Sequence, residues 1–396
     1  MRLLVYRWRS LTNYDLEEEL KNMGMEFDVF DDECDLTLFQ DHHFYEIVCS
    51  YLKKREYDAV FSINYFSAIA EACHEADVMY ISWSYDSPMR IETSEGLYYD
   101  TSKLFAFDAQ EVGDIRKKYG ISNVWHMPLA VSTRRFDRHI PSSLQRKKYN
   151  SEISFVGQLY DNGLNYDLKN IPEYWQEYIH ALTDVQLDTY GKDVMKAALS
   201  EEVRKAVSTP EFMKAVGNAI YLKGEKKPDV IQDLFLWVLM CKNVTYRERL
   251  MLLEMLGRRF PVKFFSYQKS EVLQNVEYCG QVDWFKEMPD VFKCSKINLN
   301  ITVRKIVSGI PQRCLDIMGC GGFLLSNYQQ ELAELVPQDA CVMYESIGDA
   351  CEKAEYYLKH DYERKKTAQR GYEIMKRDFN YRDRIERMLK ITGLTK

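Results

Sequence analysis

Two arginines and an aspartate surround the start of one short predicted helix. Arg304 precedes this helix, and Arg313 and Asp316 lie one turn apart within it. The loop Ser308-Gly309-Ile310 leads into the helix, and we expect its backbone N–H groups to be free to hold an anion. Guanidinium groups pair with phosphate oxygens, and a carboxylate accepts hydrogen bonds from sugar hydroxyls. Together these groups are suited to a nucleoside diphosphate-sugar.

The same residues also allow a simpler interpretation. Arg313 and Asp316, three positions apart on a helix, can form a surface ion pair. The pair Gly321-Gly322 can be a plain helix cap. Spacing alone favours this second interpretation, and the surrounding elements are needed to choose between the two.

Two short strands flank the helix. The apolar run Ile297 to Ile301 predicts a buried strand, and Phe323 to Leu325 predicts another. Between them, Pro311 opens the helix and Gly321-Gly322 ends it, as these residue types prefer to do. A strand, a helix and a strand in this order indicate an α/β domain.

Length and composition limit the possible classes of protein. The chain has 396 residues, which predicts two domains, and its net charge of −7 gives no reason to expect nucleic acid as a partner. No apolar run reaches the length of a membrane span, and Met1 leads straight into a strand-like run, so we expect a cytoplasmic protein with no integral membrane segment. Ten cysteines are scattered singly, which predicts a reduced chain with no zinc site.

The pattern along the chain predicts two α/β domains in series. Residues 1–140 alternate short apolar runs with amphipathic segments, which is typical of βα units around a parallel sheet. The polar, basic segment 132–150 marks the boundary. The second domain spans 151–375 with a helical insertion at about 172–257, and 376–396 forms a last charged helix.

Polar side chains follow several strands of the first predicted sheet. Asn64, Asp86 and His126 lie at the carboxyl ends of their strands, where ligands collect in parallel sheets. Asp86 is suited to act as a general base, but it is equally suited to hold the turn Ser84–Pro88. The sequence leaves both roles open.

Three segments resemble the glycosyltransferases that have two facing Rossmann-like domains, the GT-B architecture. Residues 124–131, followed by Arg135-Phe136, are similar to their V-x-x-P-x-x-V-x-x-x-x-F segment. Residues 276–290 are similar to their V-x-x-x-G-x-V-x-x-x-E-[LM]-P segment, and 315–325 to their L-E-A-M-A-C-G-x-P-V-V segment. The resemblance implies an α/β fold of two Rossmann-like domains that face each other, with the last helix returning to the first domain.

A longer match is more specific. The sequence NLNITVRKIVSGIPQRCLDIMGCGGFLLSNYQ at 298–329 resembles the spore-maturation CgeB-like glycosyltransferases, as do segments 6–8, 82–88 and 152–160. The resemblance implies transfer of a sugar from a nucleotide sugar to an unidentified acceptor held mainly by the first domain. A UDP-sugar is the first candidate for the donor. An epimerase or hydrolase on the same frame, or a non-catalytic sugar-binding module, remains open.

The resemblance also implies roles for individual residues. In family-4-type enzymes a carboxylate pair, E-x7-E, straddles the helix start. Asp316 stands at its second position, which binds the ribose, whereas the first position is the neutral Ser308. Arg304 and Arg313 would then neutralise the diphosphate without a metal ion or other cofactor.

Loops of both domains complete the implied site. Residues 157–160 would approach the phosphates from the other side, and Tyr267 with the turn 280–282 would flank the base. The general base would be Asp86 or, as an alternative, His126. The candidate donor-binding residues are Gly157, Gln158, Tyr160, Tyr267, Gln281, Val282, Asn300, Arg304, Ser308, Gly309, Ile310, Arg313 and Asp316.

Overall fold

Two parallel six-stranded sheets organise the chain. The computed structural model describes residues 1–394 except 9, 11, 36–40, 90, 92–93, 161–171, 199, 208, 210–235 and 237–240. All strands of the first sheet precede those of the second along the chain. The predicted fold class, two α/β units in series, is confirmed.

The first sheet is built from strands that are apolar on both faces, because helices cover both of its sides. All five residues of its third strand, for example, are buried. The sheet order is β2-β1-β3-β4-β5-β6, so the chain changes direction across the sheet between β1 and β3. The strands are β1 (Arg2–Tyr6), β2 (Glu26–Phe30), β3 (Ala59–Ile63), β4 (Met79–Ser84), β5 (Ser102–Ala106) and β6 (Val124–His126).

Four helices connect these strands, and two short ones follow them. The fourth begins at Asp108, whose side chain accepts a hydrogen bond from the Glu111 N–H, and ends at Gly120 in the left-handed conformation. The segment predicted as the domain boundary contains the last two. The helices are α1 (Thr12–Asn22), α2 (His42–Lys54), α3 (Ser67–Glu75), α4 (Ala109–Tyr119), α5 (Thr133–Arg138) and α6 (Ser143–Tyr149), with a 3₁₀ turn at Glu95–Tyr98.

The second sheet has the strand order of a Rossmann fold. Its order is β12-β11-β10-β7-β8-β9, which places the change of direction between β7 and β10. Ligands of such sheets bind outside the carboxyl ends of the strands at that point. The strands are β7 (Ser151–Val156), β8 (Val262–Phe265), β9 (Glu277–Tyr278), β10 (Ser295–Asn300), β11 (Leu324–Asn327) and β12 (Val342–Tyr344).

Helices account for most of the remaining described residues. Part of the predicted helical insertion, residues 199, 208, 210–235 and 237–240, lies outside the described residues. The described helices of this half are α7 (Glu173–Leu187), α8 (Val194–Ala197), α9 (Glu201–Val207), α10 (Lys242–Gly257), α11 (Met288–Cys294), α12 (Gln312–Gly319), α13 (Gln330–Leu335), α14 (Ile347–Lys359), α15 (Asp361–Asp378) and α16 (Tyr381–Thr392).

The last helix, α16, returns to the first sheet. The Arg384 guanidinium donates to the Pro128 carbonyl oxygen at 2.9 Å, and Arg382 pairs with Glu19 of α1 at 3.0 Å. The ring of Tyr381 lies 6.0 Å from that of Trp83, at the end of β4. The final helix therefore ties the two halves of the chain together.

One apolar core runs through both halves. Leu3 and Val5 of the first sheet belong to the same buried cluster as Ile310, Ile317 and Met318 of the second half. Among the described residues, no helix is long and apolar enough to cross a membrane. None of the ten cysteines forms a disulfide bond. The contact between the halves is thus an apolar packing interface as well as a site for polar groups.

Close packing at Gly319 makes this interface testable. A Cβ atom at Gly319 would lie 2.7 Å from a methyl carbon of Val131, so Gly319→Ala should reduce the free energy of unfolding by about 1–3 kcal/mol. Gly113, in the middle of α4, has no atom within 4 Å of an added Cβ, so Gly113→Ala should increase it by about 0.5–1 kcal/mol. Denaturant titration measures both. Equal stabilisation by the two substitutions would show that Val131 and Gly319 are not packed together.

Candidate functional site

An open hollow lies at the carboxyl ends of β7 and β8. Residues 158–160 line one side and residues 266–270 the other. Tyr267 stands on the rim with 58% of its surface exposed. An exposed aromatic ring beside a polar hollow is suited to stack against a planar ligand group.

Backbone hydrogen bonds hold the loops of this hollow together. The Gly157 N–H donates to the Phe265 carbonyl oxygen, and the Ser266 N–H donates to the Gly280 carbonyl oxygen, both at 3.0 Å. Gln281 is exposed beside this turn, and Val282 is half-buried. The structure therefore brings together three predicted donor-site segments: the loop 157–160, Tyr267 and the turn 280–282.

Arg249 of α10 binds the chain segments that border this hollow. Its guanidinium donates to the carbonyl oxygens of Gln158 and Ile301, which follow β7 and β10. The ring of Tyr160 lies 4.8 Å from its central carbon. Arg249 thus positions the strand ends at the switch point of the second sheet. Its place in an apolar helix pattern hid this role in the sequence.

Arg304 is placed differently from the prediction. Its side chain is buried and pairs with Glu248 of α10, with 2.8 Å between Nε and Oε2. Its remaining N–H groups donate to the carbonyl oxygens of Thr189 and Leu187 at 3.1 and 3.3 Å. The ring of Tyr190 lies 3.8 Å from the guanidinium carbon. Because these partners occupy the cation, Arg304 supports the second domain instead of presenting a free charge to a diphosphate.

The predicted anion-binding loop is already occupied. The Asp108 carboxylate, from the first domain, accepts hydrogen bonds from the N–H groups of Val307 and Ser308 at 2.9 and 3.1 Å. The Ser308 hydroxyl donates to the same carboxylate at 2.7 Å. The sequence predicted free N–H groups at Ser308, Gly309 and Ile310, and of these the Ser308 N–H is bound to Asp108 instead. The anion at this position is a side chain of the protein.

Ser308 also connects to a histidine across the two domains. Its hydroxyl lies 2.8 Å from Glu331 Oε1, and the other carboxylate oxygen of Glu331 lies 2.8 Å from His126 Nε2. Burial lowers the pKa of His126, but the hydrogen bond and charge of Glu331 outweigh it, so the pKa is raised overall. His126 is therefore part of an interdomain network, which leaves it less free to act as a base.

Two further predicted donor residues are packing residues in the structure. A Cβ atom at Gly309 would lie 2.8 Å from the Phe107 ring, so only glycine permits this contact. Ile310 is buried in the shared apolar core. Asn300 is also buried, and its amide donates to the hydroxyls of Thr302 and Ser326. None of the three therefore has an exposed polar side chain.

Arg313 is the cation that lacks an anionic partner. Among the described residues no carboxylate lies within ion-pair distance of it, and its N–H group points at the sulfur of Met288, a weak acceptor. Burial lowers the pKa of Arg313, while Asp316 and, more weakly, Tyr160 raise it. The charge thus lies near the hollow formed by residues 158–160. A half-buried cation without a counter-ion is suited to bind an anionic ligand.

Asp316 is buried, and the predicted surface ion pair with Arg313 is wrong. The amide of Gln312 donates to its carboxylate at 2.9 Å, and the Trp284 side chain forms a second hydrogen bond. Burial raises the pKa of Asp316, and Arg313 opposes this shift without touching it. Asp316 is therefore a solvent-shielded acceptor at the contact between domains, and its role in ribose binding stays a prediction.

A second charged pair lies close to Asp316. Arg135 donates to Asp15 of α1 at 2.9 Å, and its guanidinium carbon lies 4.1 Å from the Trp284 ring. Burial raises the pKa of Asp15 to about 6, against the pull of Arg135, and Asp316 adds to the rise. Arg135 Nη1 is buried without a partner among the described residues. Arg135 and Trp284 both lie in the motif segments, which is the signal that could have identified them.

Asp86 lies on a loop held by Asn64. The Asn64 amide donates to the Asp86 carboxylate at 2.6 Å, and its oxygen accepts the Tyr85 N–H at 2.8 Å. Burial raises the pKa of Asp86, while the Asn64 hydrogen bond lowers it, and the net shift is upward. Asn64 itself has a φ of 66°, in the left-handed region. Both roles predicted for Asp86, holding the turn and accepting a proton, are compatible with this geometry.

The charges described above are not arranged for a metal ion. Within residues 1–394, apart from the undescribed gaps, no three His, Cys, Asp or Glu side chains converge as metal ligands. The interdomain carboxylates instead pair with backbone N–H groups, arginines and a histidine.

The buried pair of Arg304 and Glu248 gives a stability prediction. Arg304→Ala leaves the Glu248 carboxylate buried without its partner and should reduce the free energy of unfolding by about 3–5 kcal/mol. Arg247, also on α10, pairs with Asp184 near the surface at 2.7 Å, and Arg247→Ala should cost less than about 1 kcal/mol. Thermal and denaturant unfolding compare the two. Similar small losses would mean that Arg304 is not structural.

The interdomain histidine gives a pH prediction. The raised folded-state pKa of His126 means that its charged form stabilises the structure below about pH 6.5. This contribution should disappear as pH rises through the folded-state pKa. Unfolding at pH 6 to 9 should show a loss of about 1 kcal/mol in the wild type that His126→Asn lacks. His42→Ala, at an exposed site, is the control, and an unchanged profile in His126→Asn would exclude the pairing.

Comparison with known proteins identifies the second half. Residues 247–390 match a protein-family model described as glycosyl transferase-like, which is less than half of the chain. None of the curated proteins matches the sequence. The match covers the helix of Arg313 and Asp316 and most of the second sheet.

Solved structures with the same fold cover the whole chain. Sucrose-phosphate synthase from Thermosynechococcus elongatus is 9% identical with a TM-score of 0.56, over 100% of this chain and 98% of its own. WaaG, a glycosyltransferase involved in lipopolysaccharide biosynthesis, is 12% identical with a TM-score of 0.51, over 99% and 100%. HepE from Anabaena, solved in complex with UDP, is 11% identical with a TM-score of 0.50, over all of both chains.

Identities this low show a shared fold, and the activity class comes from the family match. The structural similarity confirms the predicted architecture of two facing Rossmann-like domains. The family match supplies the glycosyltransferase domain within it. The chain is a glycosyltransferase with the GT-B architecture.

Proposed function

We propose that this enzyme transfers a sugar from a nucleoside diphosphate-sugar, specifically a UDP-sugar, to an acceptor held by the first domain. The observation that carries the proposal is Arg313, a half-buried guanidinium without a carboxylate partner among the described residues, at the carboxyl edge of a glycosyltransferase-like domain. A diphosphate supplies the anion that this cation lacks. The UDP complex of HepE, which shares the fold, supports uridine as the nucleoside.

The donor is proposed to lie across the switch point of the second sheet. Its diphosphate contacts Arg313, and its base occupies the hollow between residues 158–160 and 266–270, against Tyr267. Lys269, on the same rim, adds a second positive charge. Asp316 accepts the ribose hydroxyls once donor binding moves Trp284 away from it. Arg304 has no part in this arrangement.

Asp86 is proposed as the base on the acceptor side. In a direct displacement, its carboxylate takes the proton of an acceptor hydroxyl while that oxygen bonds to the anomeric carbon of the donor sugar. The bond to the diphosphate oxygen breaks, and Arg313 stabilises the charge that develops there. A raised pKa makes Asp86 a stronger base than an ordinary aspartate. His126 is the alternative, but Glu331 already holds it.

Several finer features belong to the same proposal. Neutralisation of the leaving diphosphate by Arg313 would let the reaction proceed without a metal ion. The long match at 298–329 supports assignment to the spore-maturation CgeB-like enzymes. Ten cysteines without a disulfide bond support a reducing, cytoplasmic location.

Donor binding tests the proposal through Arg313. Arg313→Ala should weaken UDP binding by about 10- to 100-fold, because charged hydrogen bonds contribute about 1.5–3 kcal/mol and 1.4 kcal/mol is tenfold. Arg146→Ala removes an exposed arginine of the linker and should leave the affinity unchanged. Isothermal titration calorimetry with UDP measures both. Equal affinities for wild type and Arg313→Ala would refute the assignment of the diphosphate site.

Product analysis separates the possible activities. A transferase consumes a UDP-sugar quickly only when acceptor is present, because closed domains keep water from the donor. An epimerase converts the donor alone, and a hydrolase releases free sugar without an acceptor. A non-catalytic module binds UDP but turns over none of a panel of UDP-sugars.

A further inference from the structure

Glu111, in the first turn of α4, connects the loop that carries Asp86 to the rest of the first domain. Its carboxylate oxygen Oε1 accepts the Met89 N–H at 2.5 Å, and the Ser87 side chain lies near enough to the same carboxylate to lower its pKa. Asn64 holds the opposite end of this loop, at Tyr85 and Asp86. The loop that carries Asp86 is therefore held by hydrogen bonds at both ends, and Glu111 forms one of them.

The same turn of α4 holds the second domain. Its N-cap, Asp108, binds the backbone N–H groups of Val307 and Ser308. The Ala109 N–H donates to Glu331 at 2.7 Å, and the Gln110 N–H donates to the Ser308 hydroxyl at 3.1 Å. Four consecutive residues, 108 to 111, thus contact either the second domain or the Asp86 loop. A shift of this turn must move both contacts.

Glu111 also carries an unused hydrogen-bonding atom. Its oxygen Oε2 is buried and has no hydrogen-bond partner among the described residues. Burial raises the pKa of Glu111 to about 7, with Asp108 raising it further and the Met89 hydrogen bond, the Ser87 side chain and Lys305 lowering it. A carboxylate held this way exchanges its proton near neutral pH. The hydrogen bond from the Met89 N–H becomes stronger when the Glu111 carboxyl group ionises, because a charged acceptor forms the stronger hydrogen bond.

We propose that Glu111 is a positioning residue that fixes the Asp86 loop and links its position to contact with the second domain through the first turn of α4. The inference rests on the proposed function, because it assigns a purpose to the placement of Asp86. Closure of the second domain onto Asp108 then sets the Asp86 carboxylate at the distance that proton transfer requires. Misplacement by about 1 Å can cost on the order of 100-fold in rate.

Steady-state kinetics with the transferase reaction tests this role. Glu111→Ala should reduce kcat by about 10- to 100-fold while the KM for the UDP-sugar stays within about twofold, because the donor binds to the other domain. Glu111→Gln keeps the oxygen that accepts from Met89 and should recover most of the lost kcat. It should also lack the rise in kcat between pH 6 and 8 that ionisation of Glu111 gives the wild type. Ser87→Ala, which removes a loop contact without altering Glu111, should reduce kcat in the same direction.

Controls distinguish this inference from the proposed function. Lys117→Ala changes an exposed residue on the same helix and should leave kcat unchanged. If Glu111→Ala does not fold, Ser87→Ala and Glu111→Gln still decide the question. Wild-type kcat in all three soluble variants, with Asp86→Asn inactive, would overturn the positioning role. No transfer by the wild type with any UDP-sugar would overturn the proposed function instead, and a parallel rise in KM would show a donor-site effect.

Discussion

The arrangement of both domains depends on the Asp108 carboxylate. It lies at the start of α4 in the first domain and binds two consecutive N–H groups of the second, at Val307 and Ser308. A helix N-cap that also caps a loop of another domain is tied to two positive partial charges at once. Asp108 is connected to Glu331 and His126 through Ser308, and to the Asp86 loop through Glu111 of α4. Groups on the donor side and on the acceptor side are therefore both connected to the contact of Asp108 with Val307 and Ser308.

Four arginines, two of them buried and two half-buried, have separate tasks in this molecule. Arg249 and Arg304 are fully partnered by carbonyl oxygens or a carboxylate, and they hold the strand ends and loops of the second domain. Arg135 joins Asp15 to the aromatic ring of Trp284. Arg313 alone of these four has only a thioether as its hydrogen-bond acceptor among the described residues. The difference in partners, more than the difference in position, assigns the anion-binding role to Arg313.

Local sequence patterns predicted the secondary structure well. The alternation of apolar runs and amphipathic segments in residues 1–140 indicated the βα units of the first sheet, and the runs Ile297–Ile301 and Phe323–Leu325 indicated β10 and β11. The family resemblance implied that Tyr267 and the turn 280–282 flank the base and that residues 157–160 approach the phosphates, and the structure places residues 158–160 beside Tyr267. Motif spacing sufficed for these features.

Long-range partners could not be predicted in the same way. Ser308 meets Asp108 across 200 residues, and Arg304 meets Glu248 across 56, in a helix whose pattern indicated only a core. Whether a charged group is free or paired depends on such partners, so the sequence could not distinguish Arg304 from Arg313. In the structure Arg304 is paired and Arg313 is not. The sequence therefore predicted the helices and strands correctly but not the partners of these two arginines.

The crystal structure of the enzyme with bound UDP would test the central claim most directly. The account predicts the diphosphate within about 3 Å of the Arg313 guanidinium, with Asp108 still bound to Val307 and Ser308. It also predicts that Arg304 keeps its contact with Glu248. A diphosphate bound to the Val307 and Ser308 N–H groups, with Asp108 displaced and Arg313 out of contact, would contradict it.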